Sequence, residues 1–118
     1  MHVSTFLAFT LFAAMGGVML WKPEYLTRLT GVELSTIESR NEARAVYGGF
    51  GVAMALAMFI AMVYSPLSGG ILLTSGLALI GMAAGRGYSA WLEMPANSLI
   101  WVFLGIEALL GLMLFFRV

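Results

Sequence analysis

The stretch that decides the fold is residues 39–64, SRNEARAVYGGFGVAMALAMFIAMVY. Three charged residues, Arg40, Glu42 and Arg44, stand at its start, and a glycine pair leads from them into an uninterrupted apolar run. A helix of about 20 apolar residues crosses the roughly 30 Å hydrocarbon core of a bilayer, and residues 43–64 are long enough to do so. The sequence therefore predicts a transmembrane helix whose charged start remains in water.

Three more apolar runs of similar length surround this one, at residues 3–21, 70–88 and 98–116. The 118-residue chain is 61% hydrophobic and only 10% charged, whereas a soluble domain has about 25% charged residues. Backbone groups in lipid must be paired within the structure, and the runs lack the alternation of barrel strands, so we interpret each run as a helix. We predict an all-α protein, a single domain over residues 1–118, that folds as a four-helix transmembrane bundle.

The connections between the predicted spans differ in character. Residues 65–69, SPLSG, predict a tight turn between the second and third spans. The first connection is long, and its segment PEYLTRLTG, residues 23–31, predicts a short amphipathic helix that lies in the membrane interface and ends at Gly31. Two residue pairs with the spacing of a capping box precede the second span: Ser35 with Glu38, and Ser39 with Glu42.

The basic residues predict how the chain is oriented. The first and third connections, with the adjoining helix ends, lie on one side of the membrane and hold every Lys and Arg except Arg117. The positive-inside rule places that side in the cytoplasm. We therefore predict a multi-pass protein with both termini outside and the long first loop in the cytoplasm. No Lys or Arg precedes the first apolar run, unlike in a signal peptide, so we interpret this run as a retained span.

Composition argues against several classes of function. The formal net charge is zero and no basic stripe with interleaved aromatic residues is present, so we expect no nucleic-acid partner. The chain has no Cys and its one His is His2, which excludes thiolate metal sites and cysteine nucleophiles. Met54, Met58 and Met62 stand four residues apart, but without Cys or His beside them they favour packing over copper binding. We expect no metal and no cofactor.

Glu107 is the most costly residue in the predicted spans. It lies about ten residues into the fourth span, roughly 15 Å deep at 1.5 Å per residue, where a charge is strongly unfavourable unless it is paired or hydrated. Arg86 lies near the end of the third span, on the membrane side from which the fourth begins, and an Arg–carboxylate pair can be bidentate. We predict an Arg86–Glu107 pair, either as a structural link between helices or as a ligand or proton site.

The position of Arg44 predicts that it contributes to the same site as the Arg86–Glu107 pair. At 100° per residue its direction is shared by Gly48 and Gly51, with Tyr47 slightly further round the helix. The glycines let a neighbouring helix or a ligand approach closely. If three helix faces converge, they enclose a pocket that is apolar toward the membrane centre and cationic toward the cytoplasm. The residues predicted to bind are Glu42, Arg44, Tyr47, Gly48, Gly51, Arg86 and Glu107.

A G-x-x-x-G motif, Gly81 to Gly85, lies on a different face of the third span from Arg86. Such motifs allow close approach of two helices. We expect it to pack either within the bundle or between two copies of the chain.

A family resemblance rests on NEARAVYGGFG, residues 41–51, and AAGRGYS, residues 83–89, with KPEYLTRLTG before them. Over nearly its whole length the chain resembles an uncharacterised bacterial family of small four-helix membrane proteins, a domain of unknown function that is loosely similar to the DoxX-like proteins. The resemblance implies a four-helix bundle in a bacterial inner membrane and implies no reaction. Its most specific residues are Asn41, Glu42, Arg44, Ala45, Tyr47, Gly48, Gly49, Gly85 and Arg86.

Three classes of function are compatible with these residues. The first is a binding or accessory protein, in which the polar cluster holds a lipid head group, a quinone or another amphiphile, or which docks on a larger membrane complex. The second is an oligomeric transporter or pore, since one copy of four helices leaves little room for a conduit. The third is a membrane enzyme that uses Glu107 as a general acid or base beside Arg86. We expect the first, with membrane lipids and either a larger complex or further copies of the chain as partners.

Overall fold

The computed structural model describes residues 2–118 as an all-α protein, with no strand in that range. Three of its helices are long and apolar enough to span a membrane, and the last is a shorter apolar helix of 17 residues. The five helices are α1, Val3–Trp21; α2, Glu24–Thr30; α3, Ile37–Val63; α4, Ser65–Leu92; and α5, Leu99–Phe115.

Helix α3 changes its winding along its length. It is α-helical over Ile37–Ala43, π-helical over Arg44–Gly49 and α-helical again over Phe50–Val63. A π-helix pairs residue i with i+5, so each residue turns the chain by less than the 100° of an α-helix. Side chains before the π-helical segment therefore point in directions that uniform α-helical spacing does not predict.

Glycines bring the long helices together in two antiparallel pairs. Helix α1 packs mainly against α3, and a methyl group on Gly16 would lie 2.5 Å from the backbone nitrogen of Val52. Helix α4 packs mainly against α5, and a methyl group on Gly76 would lie 2.9 Å from the carbonyl oxygen of Gly111. Only glycine permits helix backbones to approach this closely.

The core lies where the two helix pairs meet. Helix α3 contacts α4, and α1 contacts α5 less extensively. The largest side chains buried between them are Phe12, Met58, Leu72, Leu79 and Leu114. A smaller cluster seats α2 against α1 and the start of α3, and consists of Met19, Leu26 and Ala43.

Helix α2 occupies the segment for which the sequence predicts a short helix. It ends at Gly31, whose φ of 81° is left-handed and whose N–H donates to the carbonyl oxygen of Thr27. Glycine adopts this conformation without strain, which is why it is common after the last helical residue. The side-chain amide of Asn97 donates to the Leu29 carbonyl at 3.1 Å and ties α2 to the α4–α5 connection.

Two local predictions are wrong. Residues 65–69 form the start of α4 and not a turn, because Pro66 stands in the first helical turn, where its missing N–H is not needed. Tyr64 alone separates α3 from α4. The capping box of α3 joins Thr36 and Ser39 through bonds of 3.0 and 3.1 Å, and neither predicted serine–glutamate pair forms it.

Candidate functional site

Arg86 and Glu107 form the expected ion pair across the α4–α5 interface. Arg86 Nε donates to Glu107 Oε1 at 2.6 Å, and Nη2 donates to Oε2 at 3.2 Å. One guanidinium therefore holds both carboxylate oxygens, a bidentate geometry that Lys does not offer. The close contact at Gly111, one turn further along α5, brings the two helices within reach of each other.

The two members of the pair are buried unequally. The side chain of Glu107 is 9% exposed and that of Arg86 is 24% exposed. The guanidinium carbon also lies 5.6 Å from the centroid of the Phe103 ring, within cation–π distance. Two of the five guanidinium N–H groups bond Glu107, and the other three have no partner among residues 2–118. The pair thus combines a buried, fixed carboxylate with a guanidinium that retains unused donors.

A pocket of about 360 Å³ opens beside Arg86, toward the α4–α5 connection. This volume lies in the lower part of the roughly 300–1,000 Å³ range of small-molecule sites. The lining residues with polar side chains are Arg86, Ser89 and Glu93, which together carry both donors and acceptors. We call it the Arg86 pocket, and its lining residues are Gly85, Arg86, Ser89, Ala90, Glu93, Pro95 and Ile100.

Ser89 and Glu93 are pocket residues that the sequence analysis did not single out. They follow Arg86 by three and seven positions, the spacing of one helix face. This spacing is the sequence signal that could have placed them beside Arg86. The predicted span ends at residue 88, whereas α4 continues to Leu92. The additional helical turn carries this polar face out to the α4–α5 connection.

Glu42 and Arg44 do not join the pair. Both side chains are exposed at the start of α3, and within residues 2–118 the only ion pair is that of Arg86 with Glu107. Arg44 begins the π-helical segment, whose smaller turn per residue moves it away from the line of Gly51. The expected convergence of three helix faces on one pocket is therefore not observed. Over the same described range, no three acidic or histidine side chains lie close enough together to hold a metal ion.

Gly48 and Gly51 are buried against helix α1. A methyl group on Gly48 would lie 2.8 Å from the side chain of Leu20, and one on Gly51 would lie 2.8 Å from the Cα of Gly16. The sequence left open whether these glycines admit a helix or a ligand, and a helix occupies the space.

The glycines of the G-x-x-x-G motif face outward. Gly81 and Gly85 are exposed, and a methyl group on either would meet no atom within 4 Å. The expected packing of this motif within the chain is therefore not observed. Gly85 lines the Arg86 pocket and has no side chain that would fill it.

Tyr47 lines an apolar cavity of about 300 Å³ between α3 and α4, which we call the Tyr47 cavity. Helix α1 closes one side of it with Phe12 and Met15. The Tyr47 hydroxyl is the only polar side-chain group among the lining residues. The remaining lining residues are Val46, Phe50, Met54, Ala78, Leu79 and Met82.

A second space of about 350 Å³ adjoins this cavity, since Val46 and Tyr47 line both. It lies against the connection between α2 and α3, and we call it the loop groove. Glu42 and Tyr47 meet here, apart from Arg86 and Glu107, so the predicted binding residues fall at two separate places. The loop groove is lined by Leu26, Val32, Glu33, Leu34, Ser39, Glu42, Ala43, Val46 and Tyr47.

Comparison with known proteins identifies one family. The family profile of DUF4345, a domain of unknown function, matches residues 1–117. Searches among curated proteins and among solved structures found no significant match. The matched region includes all five helices and both members of the Arg86–Glu107 pair. The chain therefore belongs to the DUF4345 family, an uncharacterised family as its sequence resemblance predicts.

Proposed function

We propose that this protein is a small integral membrane protein that binds the head group of an amphiphile in the Arg86 pocket. The observation that carries the proposal is the Arg86–Glu107 pair, in which a buried carboxylate fixes a guanidinium beside an open pocket. Because Glu107 already orients the guanidinium, little conformational freedom is lost when a ligand binds. The unused N–H groups of Arg86 suit the oxygen acceptors of a phosphodiester, an ester or a quinone.

The charges around the pocket narrow the class of head group. Glu107 neutralises Arg86, and Glu93 adds a carboxylate to the pocket wall. An anion entering the pocket would meet no net positive charge. The arrangement therefore favours an uncharged head group, or a zwitterionic one that places its anionic part at Arg86 and its cationic part at Glu93.

The surface of the long helices supports a location in the membrane. Only 33%, 28% and 28% of the residues in the apolar windows of α1, α3 and α4 are buried. Soluble proteins rarely expose contiguous apolar patches larger than a few hundred Å². Exposed large apolar side chains on these helices and on α5 include Phe6, Leu7, Leu56, Phe59, Leu77 and Leu109.

In this proposal the four long helices cross a bacterial inner membrane as a four-helix bundle, with α2 in the interface. The distribution of basic residues favours the long first loop in the cytoplasm and both termini in the periplasm. The Arg86 pocket then lies at the cytoplasmic end of the bundle, at the depth where lipid head groups meet hydrocarbon.

Native mass spectrometry of the protein, extracted from its membrane in mild detergent, tests the proposal. We expect the wild-type chain to carry a bound amphiphile and Gly85→Leu to lose it. The added side chain enters the Arg86 pocket but meets no other part of the fold within 4 Å of its Cβ. Retention of the same amphiphile by Gly85→Leu would contradict the proposal.

Gly81→Leu is the matched control for that variant. It places the same side chain on α4 one turn away, again in open space, and Gly81 does not line the pocket. We expect it to retain the amphiphile. Loss in both variants would assign the effect to a general change in the α4 surface and would also overturn the proposal.

An oligomeric transporter or pore, and an enzyme with Glu107 as general acid or base, remain predictions from the sequence. A pore requires several copies of the chain around a shared axis, whereas Glu107 faces Arg86 of its own chain. Docking on a larger membrane complex is likewise a prediction. The same mass spectra report the number of copies and any partner subunit.

A further inference from the structure

The Tyr47 cavity is a second space suited to a ligand. Its lining is hydrocarbon, aromatic and thioether except for the Tyr47 hydroxyl. Met15, Met54 and Met82 contribute flexible side chains that adapt their shape to an apolar guest. Tyr64 joins α3 to α4, and the cavity lies about four turns away from that junction, where the two helices leave room between them.

The loop groove, which shares Val46 and Tyr47 with this apolar cavity, is the polar space beside it. Glu33, Ser39 and Glu42 line the groove, and no lining residue is basic. The nearby Arg40 donates Nη1 to the carbonyl oxygen of Leu34 at 3.1 Å. Within residues 2–118 neither Glu33 nor Glu42 forms an ion pair. Two carboxylates without an ion-pair partner in that range therefore line the groove next to a phenol, while the Arg40 guanidinium keeps its charge beside the backbone of the lining residue Leu34.

We propose that the Tyr47 cavity holds one hydrocarbon chain of a lipid whose head group carries an ammonium, with the ammonium in the loop groove. Charge complementarity selects the head group, because the two carboxylates favour a cation and would repel an anionic lipid. The volume of about 300 Å³ is enough for one chain or ring and not for a whole lipid. The second chain of the lipid lies outside, against the exposed apolar surface of α3 and α4.

This inference rests on the proposed membrane location but is independent of the Arg86 pocket. The two sites share no lining residue. Variants in one site therefore leave the other unchanged. The Arg86 pocket offers a guanidinium as well as a carboxylate, whereas no residue lining the loop groove is basic. A zwitterionic head group suits both sites, so variants in each site are needed to tell them apart.

Competition between two lipids tests the proposal. The protein is reconstituted in vesicles of dioleoyl phosphatidylethanolamine and dioleoyl phosphatidylglycerol in equal amounts, extracted gently and measured by native mass spectrometry. The two lipids share their chains, and only the first has an ammonium. We expect phosphatidylethanolamine to be retained preferentially, by about tenfold if one charge-assisted hydrogen bond separates the two. Equal retention, or a preference for phosphatidylglycerol, would overturn the proposal.

Ala78→Phe tests the cavity itself. Ala78 is exposed at the cavity wall on α4, so a phenyl ring there fills the space from its mouth. In a Gly85→Leu background, which fills the Arg86 pocket, we expect it to abolish the phosphatidylethanolamine preference, while Ala84→Phe, at an exposed position of the same helix outside every cavity described above, retains it. If Gly85→Leu removes this lipid and Ala78→Phe does not, the lipid belongs to the Arg86 pocket and the Tyr47 assignment is wrong.

The double variant Glu33→Gln with Glu42→Gln tests whether the two carboxylates select the head group. Both residues are exposed, so the double change leaves the core intact and keeps the proposal testable if Ala78→Phe does not fold. In the same Gly85→Leu background we expect the preference for phosphatidylethanolamine to fall about tenfold while the total amount of retained lipid is unchanged. An unchanged preference would show that the carboxylates do not select the head group.

Discussion

Arg86 and Glu107 show how one residue constrains another when the surroundings are apolar. A carboxylate in the middle of α5 has few companions, so the sequence suffices to predict the partner. Arg44, in contrast, was predicted to point along the glycine face and is exposed. The prediction assumes 100° per residue, whereas the segment from Arg44 to Gly49 is π-helical and turns less per residue.

The Arg86–Glu107 pair can be measured by a double-mutant cycle. We expect Glu107→Gln and Arg86→Ala each to destabilise the protein, by less than the roughly 3–5 kcal/mol typical of a fully buried pair, because Arg86 is 24% exposed. The double variant should be more stable than the sum of the single changes predicts, by about 0.5–3 kcal/mol. The measurement is helicity by circular dichroism during unfolding in mixed micelles. Strict additivity would mean that the two side chains do not interact.

Gly16→Ala tests the closest approach between α1 and α3. The added methyl group would lie 2.5 Å from the Val52 nitrogen and 2.8 Å from the Gly48 carbonyl oxygen, so the helices must move apart. We expect a loss of about 1–3 kcal/mol, as for other overpacked sites. Gly17→Ala is the control, since a methyl group there meets nothing within 4 Å. The same unfolding assay compares them, and equal stability of the two variants would refute the tight crossing.

At the scale of the element, hydrophobic runs predict where helices lie better than where they begin. The apolar run at residues 3–21 has the same bounds as α1, since the residues that flank the run on either side are polar or charged. The start of α4 was placed five residues too late, because SPLSG contains residues typical of a turn. Pro66 is also suited to a first helical turn, and the structure has the helix there.

Thr36→Ala tests the start of α3. The Ser39 N–H donates to Thr36 Oγ1 at 3.0 Å, so removal of this hydroxyl leaves a first-turn N–H without its partner. We expect a loss of about 1 kcal/mol in the stability of the first helical turns, seen as faster hydrogen exchange at Ser39. Ser35→Ala is the control and should leave the exchange rate unchanged. The opposite pattern would restore the serine–glutamate box predicted from the sequence.

At the scale of the whole molecule, composition together with the length and pattern of the apolar runs predicts an all-α chain. This combination does not predict that α1 pairs with α3 and α4 with α5. That pairing depends on which glycines face each other, Gly16 with Gly51 and Gly76 with Gly111. The G-x-x-x-G motif, Gly81 to Gly85, is exposed, because spacing marks a small-residue face but not whether a neighbour covers it.

The proposed orientation can be tested across the whole molecule, since the chain contains no Cys. Single cysteines at the exposed positions Glu38, Leu67, Met94 and Val118 report the side of each segment. We expect a membrane-impermeant maleimide to label Leu67→Cys and Val118→Cys in intact cells. Glu38→Cys and Met94→Cys should react only after the membrane is permeabilised. The cysteine-free parent is the control, the reverse pattern would invert the topology, and labelling of all four positions in intact cells would argue against a membrane protein.

The position of the ion pair also bears on how the chain is made. In the proposed membrane location, helix α5 carries its carboxylate at mid-length, so on its own it would be a poor substrate for lateral release into the bilayer. Helix α4 precedes it with Arg86 already in place, and the two can leave the translocon together as a neutral hairpin. In that proposal, a chain without α5 would leave the Arg86 guanidinium without its carboxylate at the lipid boundary.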